Sequence, residues 1–244
     1  MYKNYIFDLY GTLLDIRTDE EKKSLWKKMA AFYSFNGAIY KANKLRSAYT
    51  EYVQEEKENV RRRRLEFNHI DIVIDKVFKQ LYVDKGVAPS NELVEVTARL
   101  FRCLSTIMPA KPYDGVKELF KELHKKGKKI YLLSNAQSSF TVPELKVTKL
   151  YDKFDGILIS SEEQCCKPDK EFFEALFNRF NLKKSESIMI GNDESSDIKG
   201  ANDFGIDSLY IHTEISPELK GERPDCKYFV PDGDFRKISS LIVK

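Results

Sequence analysis

The chain reads as an α/β protein: a parallel sheet covered by helices on both faces and interrupted near its start by an all-helical insertion. Three patterns in the 244 residues predict this. Apolar runs of strand length at 5–7, 130–133, 154–159, 188–190 and 207–211 are separated, from residue 109 onward, by amphipathic helical spacing. Residues 15–107 carry helical spacing alone. No internal repeat, low-complexity stretch or Gly/Ser linker divides the chain.

The opening run is Tyr5-Ile6-Phe7-Asp8-Leu9-Tyr10-Gly11-Thr12-Leu13-Leu14. Its first residues are apolar on both faces, which predicts a central, buried strand followed by a sharp Gly-Thr turn. Thr18 then reads as an N-cap, with Asp19, Glu20 and Glu21 in an acidic first turn. Leu25, Met29, Phe32 and Tyr33 follow at helical spacing and read as core. Further helices are expected over about 38–64, 68–83 and from Pro89-Ser90 to about 104. Hinges are expected at 14–17 and 109–112. Beyond them come a helix ending at Gly127, a strand to Ser134, a strand over 154–159 and a helix over 170–180. A strand over 187–190, a short helix over 197–204 and a strand over 207–211 follow, with small Gly200 and Ala201 predicting close helix–sheet packing. A short strand at 228–230 and a helix from 235 to 243 close the pattern.

In open α/β sheets ligands bind outside the carboxyl ends of the strands. Asp8 ends the first strand and is placed for chemistry, although a carboxylate there also suits a turn cap. Ser134-Asn135 end a second strand, and Lys167-Pro168-Asp169 introduce a helix. Asn192-Asp193 end a third strand, with Asp197 four residues beyond Asp193. This ordered set resembles the four motifs of the haloacid dehalogenase-like hydrolase superfamily. The resemblance spans most of the chain and is specific as a set. It implies a Rossmann-like core from 1–14 and 108–244, with a helical cap of the C1 type from 15–107. It also implies that Asp8 attacks the substrate to give a covalent intermediate that water cleaves. Ser134 and Asn135 are then expected to hold the transferring group. Lys167 is expected to neutralise charge on Asp8 and substrate, and Gly11 and Thr12 to shape the turn, with Thr12 in reach of substrate.

Position 10 departs from the pattern. Phosphatases of the superfamily usually carry a second aspartate two residues after the nucleophile, to protonate the leaving group. Here it is Tyr10, a weak acid and a poor base at neutral pH. Dehalogenases of the superfamily share this Asp-x-Tyr-Gly-Thr pattern, and a departing halide needs no proton. The late acidic cluster points the other way. Mg²⁺ takes oxygen ligands and keeps several waters, and the resemblance offers Asp8, the Tyr10 carbonyl, Asn192, Asp193 and Asp197 for it. A plainer reading makes Asp193 and Asp197 helix caps. The favoured expectation is a Mg²⁺-dependent phosphatase for a small phosphorylated metabolite, with Asp8, Tyr10, Ser134 and Lys167 catalytic. The alternatives are a metal-independent 2-haloacid dehalogenase and a low-activity phosphate-binding relative.

The totals agree with a soluble enzyme. Hydrophobic residues make up 42% and charged residues 32%, and the formal net charge of +3 gives no case for nucleic acid. The basic run Arg61 to Arg64 lies among glutamates and reads as a solvated helix face. Cys103, Cys165, Cys166 and Cys226 lack metal-ligand spacing and read as free thiols. With no leader pattern and no membrane-length apolar run, the expectation is a cytoplasmic protein acting on a small molecule. Arg17, Trp26, Lys44 and Arg46 are candidates to face the site from the insertion, with surface or core the plainer place for each. His69, His124 and His212 have no motif spacing and read as ordinary residues.

Overall fold

The computed structural model describes residues 2–219 and 221–243. Strand β1 (Asn4–Phe7) is buried along its whole length. The chain then turns into β2 (Leu14–Thr18) and four helices: α1 (Lys23–Phe35), α2 (Ala42–Arg63), α3 (Ile74–Val83) and α4 (Asn91–Ser105). It returns through β3 (Thr106–Pro112), α5 (Val116–Lys125), β4 (Lys129–Ser134), α6 (Ser138–Val147), β5 (Gly156–Ile159) and a single turn, α7 (Ser160–Glu163). Then come α8 (Lys170–Phe180), β6 (Ser187–Gly191), α9 (Lys199–Phe204), β7 (Asp207–Ile211), β8 (Tyr228–Val230) and α10 (Phe235–Ile242).

Six strands form one sheet in the order β5-β4-β1-β6-β7-β8, and every neighbouring pair is parallel. Strand alternation sends Tyr5 and Phe7 to one face and Ile6 to the other. The first face packs on α5 and α10 through Leu119, Phe120, Phe235 and Ile238. The second packs on α8 and α9 through Phe172, Phe173, Leu176 and Phe204. Each such large side chain contributes about 1.5–3 kcal/mol when fully buried. Because β1 is central, whatever follows Phe7 emerges at the middle of the sheet's carboxyl edge.

Helices α1 to α4 share a hydrophobic cluster of their own, centred on Trp26, Tyr33, Phe78 and Phe101. Phe140 of α6 joins that cluster and links the helical insertion to the sheet domain. The segments expected as hinges form a two-stranded antiparallel ribbon, with Leu14 opposite Pro112 and Thr18 opposite Thr106.

That ribbon corrects the expected start of the first helix. Thr18 is strand, and the Asp19 N–H donates to the Ser105 carbonyl at 2.8 Å. Helix α1 therefore begins at Lys23, without a side-chain cap. Ser90 does cap α4, accepting the Leu93 N–H at 3.1 Å. Residues 68–73, expected as helix, are instead an irregular segment leading into α3. The four arginines at 61–64 are exposed, as the glutamates around them suggest.

Candidate active site

The carboxyl edge of the sheet gathers Asp8 from β1, Asn135 from β4 and Asn192 with Asp193 from β6. The Asp8 N–H donates to the Ile190 carbonyl at 2.9 Å, extending the β1–β6 pairing by one residue. Asp8 is thus fixed at its backbone and only 8% exposed. Lys167, brought in before α8, places its ammonium 2.6 Å from Asp8 Oδ1, 2.7 Å from Asp197 Oδ1 and 2.8 Å from the Leu133 carbonyl. Burial opposes the lysine's charge, but Asp197 and Asp8 outweigh it and push the amine up to about 12. Lys167 is therefore a fixed cation.

Asp197 was expected among the metal ligands, and its geometry gives it another task. One oxygen binds Lys167, and the other accepts the N–H groups of Asn192 and Asp193, each at 3.0 Å. Both oxygens are occupied by the protein. Burial pushes the carboxyl up, Lys167 opposes this, and Asp8 adds to it. Gly191 makes the arrangement possible, since a Cβ there would lie 2.2 Å from Asp197 Oδ2. The backbone at Glu194–Ile198 forms one turn of π-helix before α9 begins at Lys199. Asp193 caps that turn, accepting the Ser195 N–H at 2.8 Å and the Ser195 hydroxyl at 2.7 Å. The expected helix over 197–204 thus starts later, because Asp197 lies inside this turn.

Tyr10 is turned away from the role of a leaving-group acid. Its hydroxyl donates to Glu144 Oε2 at 2.5 Å and lies 3.0 Å from the Thr141 hydroxyl, both on α6. The Arg102 guanidinium sits 5.3 Å from the Tyr10 ring centre and pairs with Glu144 at 2.6 Å. Burial, with Glu144 beside it and Arg102 in opposition, holds the phenol well above its ordinary value.

Gly11 adopts φ +81°, and a Cβ on it would meet Asn192 Nδ2 at 2.4 Å. The Thr12 hydroxyl, expected near substrate, donates instead to Asn192 Oδ1 at 3.0 Å. Gly11 serves through its backbone, whose carbonyl accepts from the Thr213 hydroxyl at 2.6 Å. Ser134 is fully buried, and its hydroxyl has no hydrogen-bond partner among the described residues. Asn135 folds its amide onto the Lys167 backbone, accepting its N–H at 2.8 Å and donating to its carbonyl at 3.0 Å.

A cavity of about 230 Å³ is lined by Asp8, Tyr10, Asn135, Lys167, Asn192, Asp193, Ser196 and Asp197. Ile215 and Pro217 complete it, from a loop that sequence reasoning missed because nothing in it resembles a motif. That loop is tied down where Thr213 and Ser216 meet Gly11 and Asn192. No residue of 15–107 is among these lining residues. Trp26 is buried in the insertion, its indole donating to the Glu20 carbonyl, while Arg46 pairs with Glu21. Arg17 and Lys44 are exposed. His69 is not idle: its Nδ1 lies 2.6 Å from Asp169 Oδ1, in a contact between the insertion and the sheet domain.

The site thus joins a carboxylate at a central strand end, a buried lysine upon it and an acidic turn after β6. Residues 2–205 match the family described as haloacid dehalogenase-like hydrolase. The chain belongs to the haloacid dehalogenase-like hydrolases.

Within this family it is 31% identical over 131 residues to a pyrophosphatase of Halalkalibacterium halodurans, covering 54% of the chain and 58% of the relative. Over 236 residues it is 25% identical to an (S)-2-haloacid dehalogenase of Pseudomonas sp. strain YL, covering 91% of the chain and 88% of that protein. Its fold matches a crystal structure of 2-haloacid dehalogenase from Pseudomonas syringae at TM-score 0.64 and 15% identity, over 100% and 99% of the two chains. Hydrolases of both chemistries are therefore among its relatives. No helix among the described residues is long and apolar enough to cross a membrane.

Proposed function

We propose that this hydrolase is a Mg²⁺-dependent phosphatase of small phosphorylated metabolites whose leaving group departs without a proton. The observation that carries this reading is the pairing of Asp8 with Asp193 across one small cavity that also holds Lys167. A second acid there has no use in displacing a halide, but suits a hard cation beside a phosphoryl group. Residues 15–107 act in this proposal as the cap that excludes water.

The donor chemistry fits Mg²⁺, with Asp8, Asp193 and the Tyr10 carbonyl as the residues that would hold it; the Asn192 amide oxygen, also expected as a ligand, already accepts from Thr12. Asp197 is left out because Lys167 and two N–H groups occupy it. Among the described residues no three acidic, histidine or cysteine side chains are arranged to hold a metal ion together, so water would have to supply the remaining ligands. When bound, the ion neutralises charge between the nucleophile and the phosphoryl oxygens.

The protein's own groups do the rest. An Asp8 oxygen attacks phosphorus, the P–O bond to the leaving group breaks, and that group carries off the bonding pair. Lys167 orients Asp8, and Asn135, which lines the cavity, is assigned to the transferred oxygens together with the buried, unpartnered Ser134 hydroxyl. Water then attacks the aspartyl phosphate, releasing phosphate and restoring Asp8. Since Tyr10 supplies no proton, acyl phosphates and phosphoanhydrides are the expected substrates. The relative named as a pyrophosphatase fits that class.

The same Tyr10 favours the second reading, dehalogenation of a small 2-haloacid, in which Asp8 displaces halide from carbon. One experiment separates the readings: acetyl phosphate and 2-chloropropionate, each with Mg²⁺ or EDTA. Phosphate release that needs Mg²⁺ and disappears in Asp8→Asn supports the first. Chloride release indifferent to EDTA selects the second. Neither product points to a binding protein.

A further inference from the structure

The insertion touches the sheet domain at a third place besides the ribbon and α6. The segment 67–73, between α2 and α3, lies along the two core loops that carry Asn135 and Lys167. The Asp169 carboxylate accepts the N–H groups of Asn68 at 2.7 Å and His69 at 2.8 Å, in addition to its contact with the His69 ring. Ile70 forms an isolated antiparallel bridge with Cys165. The Cys166 N–H donates to the His69 carbonyl at 3.0 Å, and the Asp71 N–H to the Gln164 carbonyl at 3.2 Å.

Asp71 is the far end of a continuous set of bonds that reaches the nucleophile. Its carboxylate accepts from the Ser160 hydroxyl at 2.5 Å and from Gln137 Nε2 at 3.0 Å. Ser160 Oγ in turn accepts the Ala136 N–H at 2.8 Å, and Gln137 Oε1 accepts the Ile74 N–H at 2.9 Å. Residues 135–137 are thus held from the insertion side. Asn135 grips both backbone groups of Lys167, and the Lys167 ammonium rests on Asp8.

We propose that Asp71 is a positioning residue: from the insertion it fixes the 135–137 turn through Ser160 and Gln137, and that turn sets Lys167 against Asp8. The proposal rests on the aspartyl-nucleophile reading above. Closure of the insertion then completes the site without placing an insertion side chain in the cavity. Hydrogen bonds to an ionised carboxylate are stronger than neutral ones, and small misplacements of a catalytic group cost large factors in rate. Asp71 also sits against its own preference, since burial pushes its carboxyl up while Ser160, the Ile72 N–H and Gln137 pull it back. Mere adhesion is served more cheaply by apolar contact.

The test compares Asp71→Ala, Ser160→Ala and the double variant with wild type on acetyl phosphate and 2-chloropropionate. Each single change is expected to lower kcat about tenfold while KM moves less than about twofold. The double variant should lose less than the product of the two single losses, because Asp71 acts in part through Ser160. Asp71→Asn, which keeps an acceptor for Gln137, should recover part of the loss. Unchanged kcat, a change in KM alone, or losses that multiply would overturn the proposal. Ser160→Ala removes one oxygen and serves if Asp71→Ala does not fold. Amide hydrogen exchange reads the same link without activity. Asp71→Ala should speed exchange in peptides covering 134–138 and 165–169 and leave 192–198 unchanged. Faster exchange confined to 68–74 would sink the idea. Should wild type release neither phosphate nor chloride, the proposed function falls, and the exchange result still decides the link from Asp71 to Lys167.

Discussion

The two sides of Asp8 are built differently. On one side Lys167 and Asp197 are wholly buried, and the polar atoms described at their tips have protein partners. Elsewhere around the site, among the described residues, the buried Ser134 hydroxyl has no partner, and Asp193 is half-buried and held by its own turn. The saturated side is set before substrate arrives, so it orients charge at no cost during reaction. On the proposed function, the open side keeps spare hydrogen-bonding capacity for what binds. The contrast predicts that damage to the first side costs fold and function together, whereas damage to the second separates them.

The largest effect is expected at the point where the sides meet. Asp8→Asn should reduce turnover by about 10⁴ or more, with the circular dichroism spectrum unchanged; retained turnover would end the nucleophile assignment. Next is Lys167→Met, which strands Asp197 as an unpaired buried charge. It should lose activity and about 3–5 kcal/mol in urea unfolding. A variant as stable as wild type would show that the saturated side is not held by its charges.

Asp193→Ala tests the open side. The Mg²⁺ concentration for half-maximal activity should rise at least about tenfold, while the lost cap costs only about 1 kcal/mol. Burial raises the Asp193 carboxyl, but its hydrogen bonds with Ser195 and Ser196 overcome this and hold it below the ordinary value. A lowered carboxyl stabilises the fold at pH above its unfolded value of about 3.9, and the benefit is lost as pH falls through the lower folded value. The melting-temperature gap between wild type and Asp193→Ala should therefore persist at neutral pH and close in acid.

Ser134→Ala should lower kcat by about 10- to 100-fold. It should leave stability equal or slightly higher, because the native hydroxyl is buried without a partner among the described residues. A fall in stability without a fall in kcat would place Ser134 on the structural side of the comparison. The smallest effect is expected for Tyr10→Phe. Its hydroxyl contacts Glu144 and Thr141 rather than the nucleophile, so about 1 kcal/mol of stability should go. Turnover should change by less than about threefold, and a much larger loss would restore Tyr10 as a proton donor.

Much of this comparison was legible from residue order. Asp8, Lys167 and Asp193 stand at strand ends or a helix entrance, positions that local periodicity marks. The strands 207–211 and 228–230 and the helix 170–180 fall where apolar spacing puts them. Thr18 failed because an acidic run after a threonine looks the same in a capped helix and in a ribbon end. Only the pairing with Thr106, 88 positions later, decides between them.

By itself the amino-acid sequence determined the α/β alternation, the family and the set of side chains that meet at the sheet's carboxyl edge. Short-range patterning and the fixed geometry of parallel strands suffice for that. Tertiary structure alone decided how each polar group is used: Asp197 on Lys167, Thr12 on Asn192, Tyr10 on Glu144, and the insertion's Asp71 on the loop before α6. Each of these bonds joins residues 30 to 180 positions apart. A hydrogen-bonding group chooses among partners by proximity in space, which no local spacing encodes.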